Sequence, residues 1–247
     1  MPDRPLNMPG CTALTRLKVY ETPGPDGQLG GTPHVHLACS EMYYVIAGSG
    51  AVELIDARGF SRVELPLHSA LVFTPGTLHR LINPARDLEL LIIMQNSGLP
   101  ERGDTLATFK SPIIADELAY FKAMRAGSLP EAYRRRDEAV AGFLEIKAAF
   151  ERSLKDGRAA LETLFRLGIG RTSSKYQDWY QCVASGAFAE AQATLSEILE
   201  LGHKKIGHLF DSRHAYYPPA ESNTVGFCGH LNRYFHPASL WPEGVVS

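Results

Sequence analysis

Length, composition and charge place this chain of 247 residues among ordinary globular proteins. Apolar residues make up 45% of it and charged residues 21%, which allows a buried core and excludes disorder over most of the chain. The 25 basic and 27 acidic side chains give a net charge of −2, which argues against nucleic acid as a partner. The longest apolar run, residues 90–94, is far shorter than the roughly 20 residues of a membrane span, and no signal peptide is recognisable. We therefore expect a cytoplasmic protein without a membrane partner, whose four cysteines are free thiols.

The first part of the chain is predicted to consist of short strands. Gly, Pro, Asn and Asp interrupt it often, and the segments between these breaks are apolar or alternate between apolar and polar residues. The predicted strands are Thr12–Tyr20, Val35–Cys39, Met42–Ala47, Ala51–Ile55, Arg62–Leu65, Ala70–Thr74 and Leu88–Gln95. Many short strands with frequent turns favour a sandwich or a barrel.

From about Ile113 the spacing of the apolar residues becomes that of amphipathic helices. The stripes are Val140, Phe143, Leu144, Phe150 and Leu154; then Leu161, Leu164, Phe165 and Gly168; then Phe188, Ala191, Leu195, Ile198 and Leu199. Gly157 and Gly202 indicate helix ends. Each stripe needs an apolar partner, which is either the strand-rich half or a second subunit, and we expect a homodimer.

Two other segments are predicted to have structural roles. Arg134–Arg136, which is followed by Asp137 and Glu138, is expected on a solvated helix face. Residues 203–247 are rich in Pro, Gly, His and aromatic residues, and we expect them to form an irregular tail that packs on the rest of the protein.

The pattern with the clearest chemical meaning combines three histidines and a glutamate. His34 and His36 are two residues apart, so on a strand both imidazoles point to one face and can reach one ion. Glu41 follows after four residues, which leaves room for a turn that returns a carboxylate to the same side. A Pro-Gly turn precedes His79 and brings a third imidazole. Together these residues predict one metal site.

The two segments resemble the two sequence motifs of the cupin superfamily. The matching positions are His34, His36, Glu41 and Gly48 in the first motif, and Gly76, His79 and Asn83 in the second. The departures fall at turn positions: Gln28 and His68 stand where the motifs begin with Gly, and Thr74 stands in place of a proline. They affect loop geometry and leave all four ligand positions filled.

The resemblance implies a fold and a division of the chain. Residues 10–105 would form an antiparallel β barrel of the cupin or jelly-roll type. A helical region over 113–202 would follow, then the tail over 203–247, and as a further hypothesis residues 113–247 together would pack on the barrel and partly close its mouth.

The resemblance also implies one divalent transition-metal ion bound by His34, His36, Glu41 and His79. Three imidazoles and one carboxylate suit Fe(II), Mn, Co, Ni or Zn, and Fe(II) is favoured here because oxygenase chemistry would use it. Tyr43 lies two residues after Glu41, so on a strand both side chains point to the same face. Tyr43 is therefore a candidate substrate contact, with a packing role as the alternative. No catalytic residue is assigned.

Three functions follow as hypotheses. The first is a mononuclear non-haem iron dioxygenase that acts on a small organic molecule. The second is an isomerase, epimerase or lyase that acts on a sugar or keto acid, with the ion as a Lewis acid. The third is a non-catalytic cupin that binds or senses a small molecule, since fold alone does not determine activity.

Overall fold

Two antiparallel sheets and a set of helices make up the computed structural model, which describes residues 6–96, 99–217 and 224–234. The strands before the helices are β1 (Ala13–Val19), β2 (His34–His36), β3 (Glu41–Ala47), β4 (Gly50–Asp56), β5 (Gly59–Leu65), β6 (Ala70–Phe73), β7 (Leu78–Ile82), β8 (Glu89–Met94) and β9 (Thr105–Ala107). Two more come from the tail, β10 (Thr224–Val225) and β11 (Gly229–Arg233). One sheet has the order β10-β11-β1-β8-β3-β6 and the other β5-β4-β7-β2-β9.

The inner faces of the two sheets share a hydrophobic core. Leu17, Val45 and Leu90 of the first sheet cluster with Val52 and Leu81 of the second, and none of the five is measurably exposed. The predicted antiparallel strand architecture is therefore confirmed. Closure into a barrel is not: in the described parts of the chain, β6 and β10 remain the edges of one sheet, and β5 and β9 remain the edges of the other.

Two strands that the sequence analysis did not predict position the site. Strand β7 is buried at all five positions, so it lacks the alternation that marks a strand with one exposed face. Strand β9 has only three residues, too few to show a period, and it pairs with β2.

The helices are α1 (Ser111–Ala115), α2 (Glu117–Met124), α3 (Leu129–Arg152), α4 (Leu154–Thr172), α5 (Tyr176–Val183) and α6 (Ala189–Gly202). The predicted C-terminal helical region is thus confirmed. Phe143 of α3 and Leu164 of α4 pack against Val35, Leu78 and Leu106 of the second sheet. Because Val35 lies between the two histidines of β2, these helices cover the outer face of that sheet, and the histidines point to the opposite face. No helix of the described segments is long and apolar enough to cross a membrane.

Gly157 does not end a helix, which corrects the sequence prediction. Helix α3 ends at Arg152, and Ser153 caps α4 by accepting a hydrogen bond from the backbone N–H of Asp156 at 3.0 Å. Gly157 lies in the first turns of α4, where an added Cβ would come within 2.2 Å of the Phe150 ring. The glycine is needed there because two helices cross closely.

The tail also differs from the predicted irregular segment. Strand β11 pairs with β1, the neighbour of β8, and so extends the first sheet. Its sequence, Gly-His-Leu-Asn-Arg, has few of the β-branched residues that indicate strands, and the pairing with β1 determines its conformation. Residues 218–223 and 235–247 of the predicted tail lie outside the described residues.

Substituting Gly142 should strongly destabilise the fold. In Gly142→Ala the new Cβ would lie 2.0 Å from the carbonyl oxygen of Thr108, so α3 must move away from the chain that follows β9. We expect a loss of about 3 kcal/mol in the free energy of unfolding, measured by denaturant titration. The matched control is Gly170→Ala in α4, which has nothing within 4 Å and should gain about 0.5–1 kcal/mol from helix propensity. Equal effects at the two sites would contradict the close approach.

Candidate metal centre

Four side chains meet between the two sheets. Strand β2 supplies His34 and His36, β7 places His79 opposite His34 in the ladder, and β3 of the other sheet begins with Glu41. Each residue is at most 5% exposed, and one ligand atom from each lies within 4.8 Å of the others. The structure thus brings together the four residues that the sequence motifs indicate, in a buried cluster that could hold a metal ion.

Hydrogen bonds determine which ring nitrogens face the centre of the cluster. His34 Nδ1 donates to the carbonyl oxygen of Thr32 at 2.9 Å, and His79 Nδ1 donates to that of Thr77 at 3.0 Å. Because a carbonyl oxygen only accepts, both neutral rings carry their proton on Nδ1 and a lone pair on Nε2. The two Nε2 atoms are 3.0 Å apart, so two lone pairs face each other without a proton between them. A cation bound by both nitrogens would remove this repulsion.

Burial keeps these two rings neutral. It lowers the pKa of His34 well below its usual value, and the neighbouring His79 and His36 lower it further. Burial lowers the pKa of His79 to about 4, although the Glu41 carboxylate opposes the shift. Both imidazoles are therefore in the form that binds transition metals.

His36 differs because a carboxylate lies on each side of its ring. Its Nδ1 donates to Asp104 Oδ2 at 3.2 Å, and its Nε2 lies 3.3 Å from Glu41 Oε2. Burial alone would lower the pKa of His36, but the hydrogen bonds and charges of the two carboxylates outweigh it and raise the pKa to about 9. A carboxylate on the outer nitrogen of a metal-binding histidine orients the ring and increases its basicity.

Asp104 is a residue that the sequence analysis missed. It is fully buried, and its Oδ1 accepts from the backbone N–H groups of Leu37 at 3.0 Å and Ala38 at 2.7 Å. Its Oδ2 accepts from the backbone N–H of Cys39 at 3.3 Å and from His36. An acidic residue after a glycine in a turn is common, so only the pairing of β9 with β2 distinguishes Asp104 from other acidic turn residues.

Tyr43 lies beside the cluster, as strand parity with Glu41 predicts. Its ring centroid is 6.1 Å from that of His79, and Phe73 packs between the same two residues at 5.1 Å and 4.5 Å. Tyr43 is 1% exposed, and its hydroxyl interacts with the Glu41 carboxylate. Burial, together with the charge of Glu41, raises the pKa of Tyr43 well above its usual value, so the phenol keeps its proton. The substrate contact predicted for Tyr43 remains a prediction.

The tail covers another side of the cluster through the turn between β10 and β11. The Phe227 ring lies 5.1 Å from the His34 ring, and the Cys228 thiol is 3.9 Å from His34 Nδ1. Arg135 of α3 holds this turn: its Nη2 donates to the carbonyl oxygen of Gly226 at 2.7 Å, and its guanidinium carbon lies 4.0 Å from the Phe227 ring centroid. A helix and the tail together therefore enclose the His34 side of the site.

The position of Arg135 and Arg136 corrects the predicted solvated helix face. They are only 3% and 2% exposed. Arg136 donates to the carbonyl oxygens of Thr22 and Pro23 at 2.9 and 2.8 Å. Burying a guanidinium group is tolerated when backbone carbonyl oxygens accept hydrogen bonds from its N–H groups. The spacing of residues in the sequence does not show where those carbonyl groups will lie.

Four residues near the motifs have structural roles. Asn83 accepts from the backbone N–H of Leu88 at 3.1 Å and so braces the turn before β8. Arg80 is fully buried on the side of β7 away from His79 and donates to Asp26 at 2.7 and 3.0 Å. Cys39 is a buried thiol and His68 an exposed side chain beside Tyr44; neither belongs to the metal cluster.

Comparison with known proteins gives matches of structure only. No protein-family model and no curated protein sequence matches the chain. Structures that match with low scores include WlaRA, a TDP-fucose-3,4-ketoisomerase from Campylobacter jejuni, at 13% identity and a TM-score of 0.31, over 38% of this chain and 64% of that one. A cupin protein from Bacteroides fragilis matches at 17% identity and a TM-score of 0.26, over 35% of this chain and 65% of that one. The DMSP lyase DddQ from Ruegeria pomeroyi matches at 19% identity and a TM-score of 0.27, over 35% of this chain and 40% of that one.

Each match covers less than two thirds of the other protein. By its two motifs, and by the buried cluster of three histidines and one glutamate that they form in space, the chain resembles the metal-binding cupins, and cupin-type proteins are among its structural neighbours.

Proposed function

We propose that this protein is a metal-dependent enzyme that isomerises, epimerises or cleaves a small oxygen-bearing molecule, such as a sugar or keto acid, without net oxidation. The observation that carries the metal dependence is the pair of Nε2 atoms of His34 and His79, which face each other at 3.0 Å beside the Glu41 carboxylate. In this proposal the two sheets are the walls of a cupin barrel, and one divalent ion lies between them.

The ligand set fits a transition-metal ion. His34, His36 and His79 offer Nε2 atoms, and Glu41 Oε2 lies 3.3 and 3.2 Å from those of His36 and His79. Three nitrogens and one oxygen suit Fe(II), Mn, Co, Ni or Zn. When bound, such an ion supplies Lewis acidity, which polarises a substrate carbonyl or hydroxyl.

Tyr43 is the residue that we propose for proton transfer. The Tyr43 hydroxyl is buried beside the Glu41 carboxylate, and its ring lies 6.1 Å from that of His79, so it is close to the proposed ion. Because its pKa is raised, Tyr43 keeps its proton at neutral pH and can donate it at Oη to a substrate oxygen. Isomerisation and elimination combine proton donation to a substrate oxygen with removal of a C–H proton by a base, and in this proposal Tyr43 supplies the donated proton.

The surroundings of the cluster favour a small substrate. Phe73 lies against the ring of His79, and Phe227 lies against that of His34. Arg135 donates a hydrogen bond to the carbonyl oxygen of Gly226 in the tail turn. Aromatic walls exclude water, which strengthens electrostatic interactions inside the site. The dioxygenase hypothesis uses the same four ligands, and nothing in the described residues favours it specifically.

Solvent isotope exchange tests the proposal. Protein reconstituted with Mn, Fe(II), Co, Ni or Zn is incubated without oxygen in D2O with a panel of sugars and keto acids, and products and C–H exchange are followed by NMR. We expect turnover of one substrate class, and Tyr43→Phe should lower kcat by about 100-fold with unchanged metal content. Tyr44→Phe, on the other face of the same strand, is the matched control and should keep full activity.

Two outcomes would contradict the proposal. Iron-dependent oxygen consumption in proportion to the product formed would show that the protein is a dioxygenase. Saturable binding of a panel member, with neither exchange nor turnover under any metal, would show a binding module.

A further inference from the structure

Helix α6 lies on the surface; its first turn contacts the segment around Pro9–Cys11, and its apolar face from Ala191 onward is exposed in the described chain. Every residue from 191 to 202 is exposed. At 100° per residue, one stripe about 100° wide runs along the helix. Its members are Phe188, Ala191, Leu195, Ile198, Leu199 and Gly202. Phe188, Leu195, Ile198 and Leu199 are 56%, 63%, 57% and 67% exposed.

Such a helix needs a partner for two physical reasons. An isolated helix of 14 residues is only marginally stable in water, so α6 depends on packing for its structure. The residues that follow the helix include three more exposed apolar side chains, Ile206, Leu209 and Phe210, which are 53%, 56% and 81% exposed. Exposed apolar residues in such number mark an interaction surface.

The geometry points to a second copy of this chain, which we propose pairs with α6 in an antiparallel arrangement about a two-fold axis. Between Ala191 and Gly202, with Phe188 left outside, the stripe has nearly the same size order in both directions: small at Ala191, large at Leu195, large again at Ile198 and Leu199, and small at Gly202. A two-fold contact presents the same surface from both subunits. Reversing the helix therefore sets Leu195 of one copy against Ile198 and Leu199 of the other.

The charges around the stripe agree with self-association. Glu190, Glu197 and Glu200 lie on the opposite side of the helix, and the stripe is flanked by the neutral Gln192, Thr194 and Ser196. A two-fold contact brings identical flanks together, so flanks of a single charge would repel each other. The antiparallel arrangement also brings the start of each helix, near Glu190, close to Lys204 and Lys205 after the end of the other.

The first test measures the mass of the full chain in solution at micromolar concentration. We expect about 54 kDa, twice the chain mass of 27.1 kDa, by sedimentation or light scattering. Leu195→Glu/Leu199→Glu should raise the dimer dissociation constant at least about 100-fold and give a monomer. Both residues are exposed in the monomer, so this variant should fold, which circular dichroism checks. The matched control Ala189→Glu/Ala193→Glu adds the same charge on the opposite face and should remain a dimer.

The second test measures orientation by disulfide formation, since all four native cysteines are buried. Near the proposed axis, Ile198→Cys should form a disulfide with its own copy on mild oxidation. Ala191→Cys should not, because antiparallel helices would place its two copies about 17 Å apart along the axis. A monomeric wild type, or a dimer that survives Leu195→Glu/Leu199→Glu, would overturn the interface. Equal cross-linking at positions 191 and 198 would overturn its antiparallel direction.

Discussion

Replacing His34 and His79 together by alanine is expected to remove the metal ion almost completely. The two residues supply the facing Nε2 atoms, and without them only His36 and Glu41 remain, one ligand from each sheet. Metal content after dialysis should fall from near one ion per chain to below about a tenth. His68→Ala, an exposed histidine outside the cluster, is the matched control and should retain the ion.

Thermal stability gives a second measurement of the same change, independent of activity. An ion that binds only the folded chain stabilises it by about 4 kcal/mol at 1,000 times its dissociation constant. Added metal should therefore raise the Tm of the wild type and leave the Tm of the double variant unchanged. The variant should still fold, because the apolar side chains that join the two sheets are unchanged. Near-stoichiometric metal in this variant would refute the assigned ligands.

Asp104→Asn is expected to weaken metal binding at least about 100-fold through the tautomer of His36. In the wild type, Asp104 Oδ2 accepts a hydrogen bond from the Nδ1–H of His36, so Nε2 is the ring nitrogen that faces the ion. An asparagine that still accepts from the backbone N–H groups of Leu37 and Ala38 through its oxygen turns its NH2 group toward His36. His36 Nδ1 must then accept, and the ring proton moves to Nε2, the atom that would bind the metal.

Competition with a chelator measures the affinity, and the ring-nitrogen chemical shifts of His36 report its tautomer. Thr105→Val is the matched control, because the Thr105 hydroxyl also approaches His36 Nδ1, at 3.4 Å, yet its loss leaves the carboxylate in place. We expect less than about a threefold change in this control. An Asp104→Asn protein that binds metal as tightly as the wild type would show that Asp104 serves only the turn.

The sequence by itself determined the ligands of the candidate site. His34 and His36 are two residues apart on one strand, and strand geometry alone puts both on one face. The motif spacing then added Glu41 and His79, because each occupies a position where a cupin supplies a ligand. The apolar stripes likewise predicted the helices, since their period depends only on backbone geometry. The cytoplasmic location and the lack of nucleic-acid or membrane partners remain predictions.

Only the tertiary structure decided which residues support that site. Asp104 reaches His36 because β9 pairs with β2, and Arg135 reaches Gly226 because α3 packs beside the tail. Both contacts join residues more than 60 positions apart in sequence, and hydrogen bonds over such separations leave no local pattern. A carboxylate in a turn and an arginine on a helix are normally solvated, so their local sequence predicts exposure. They are buried because backbone groups from distant elements satisfy their hydrogen bonds, which the folded chain alone determines.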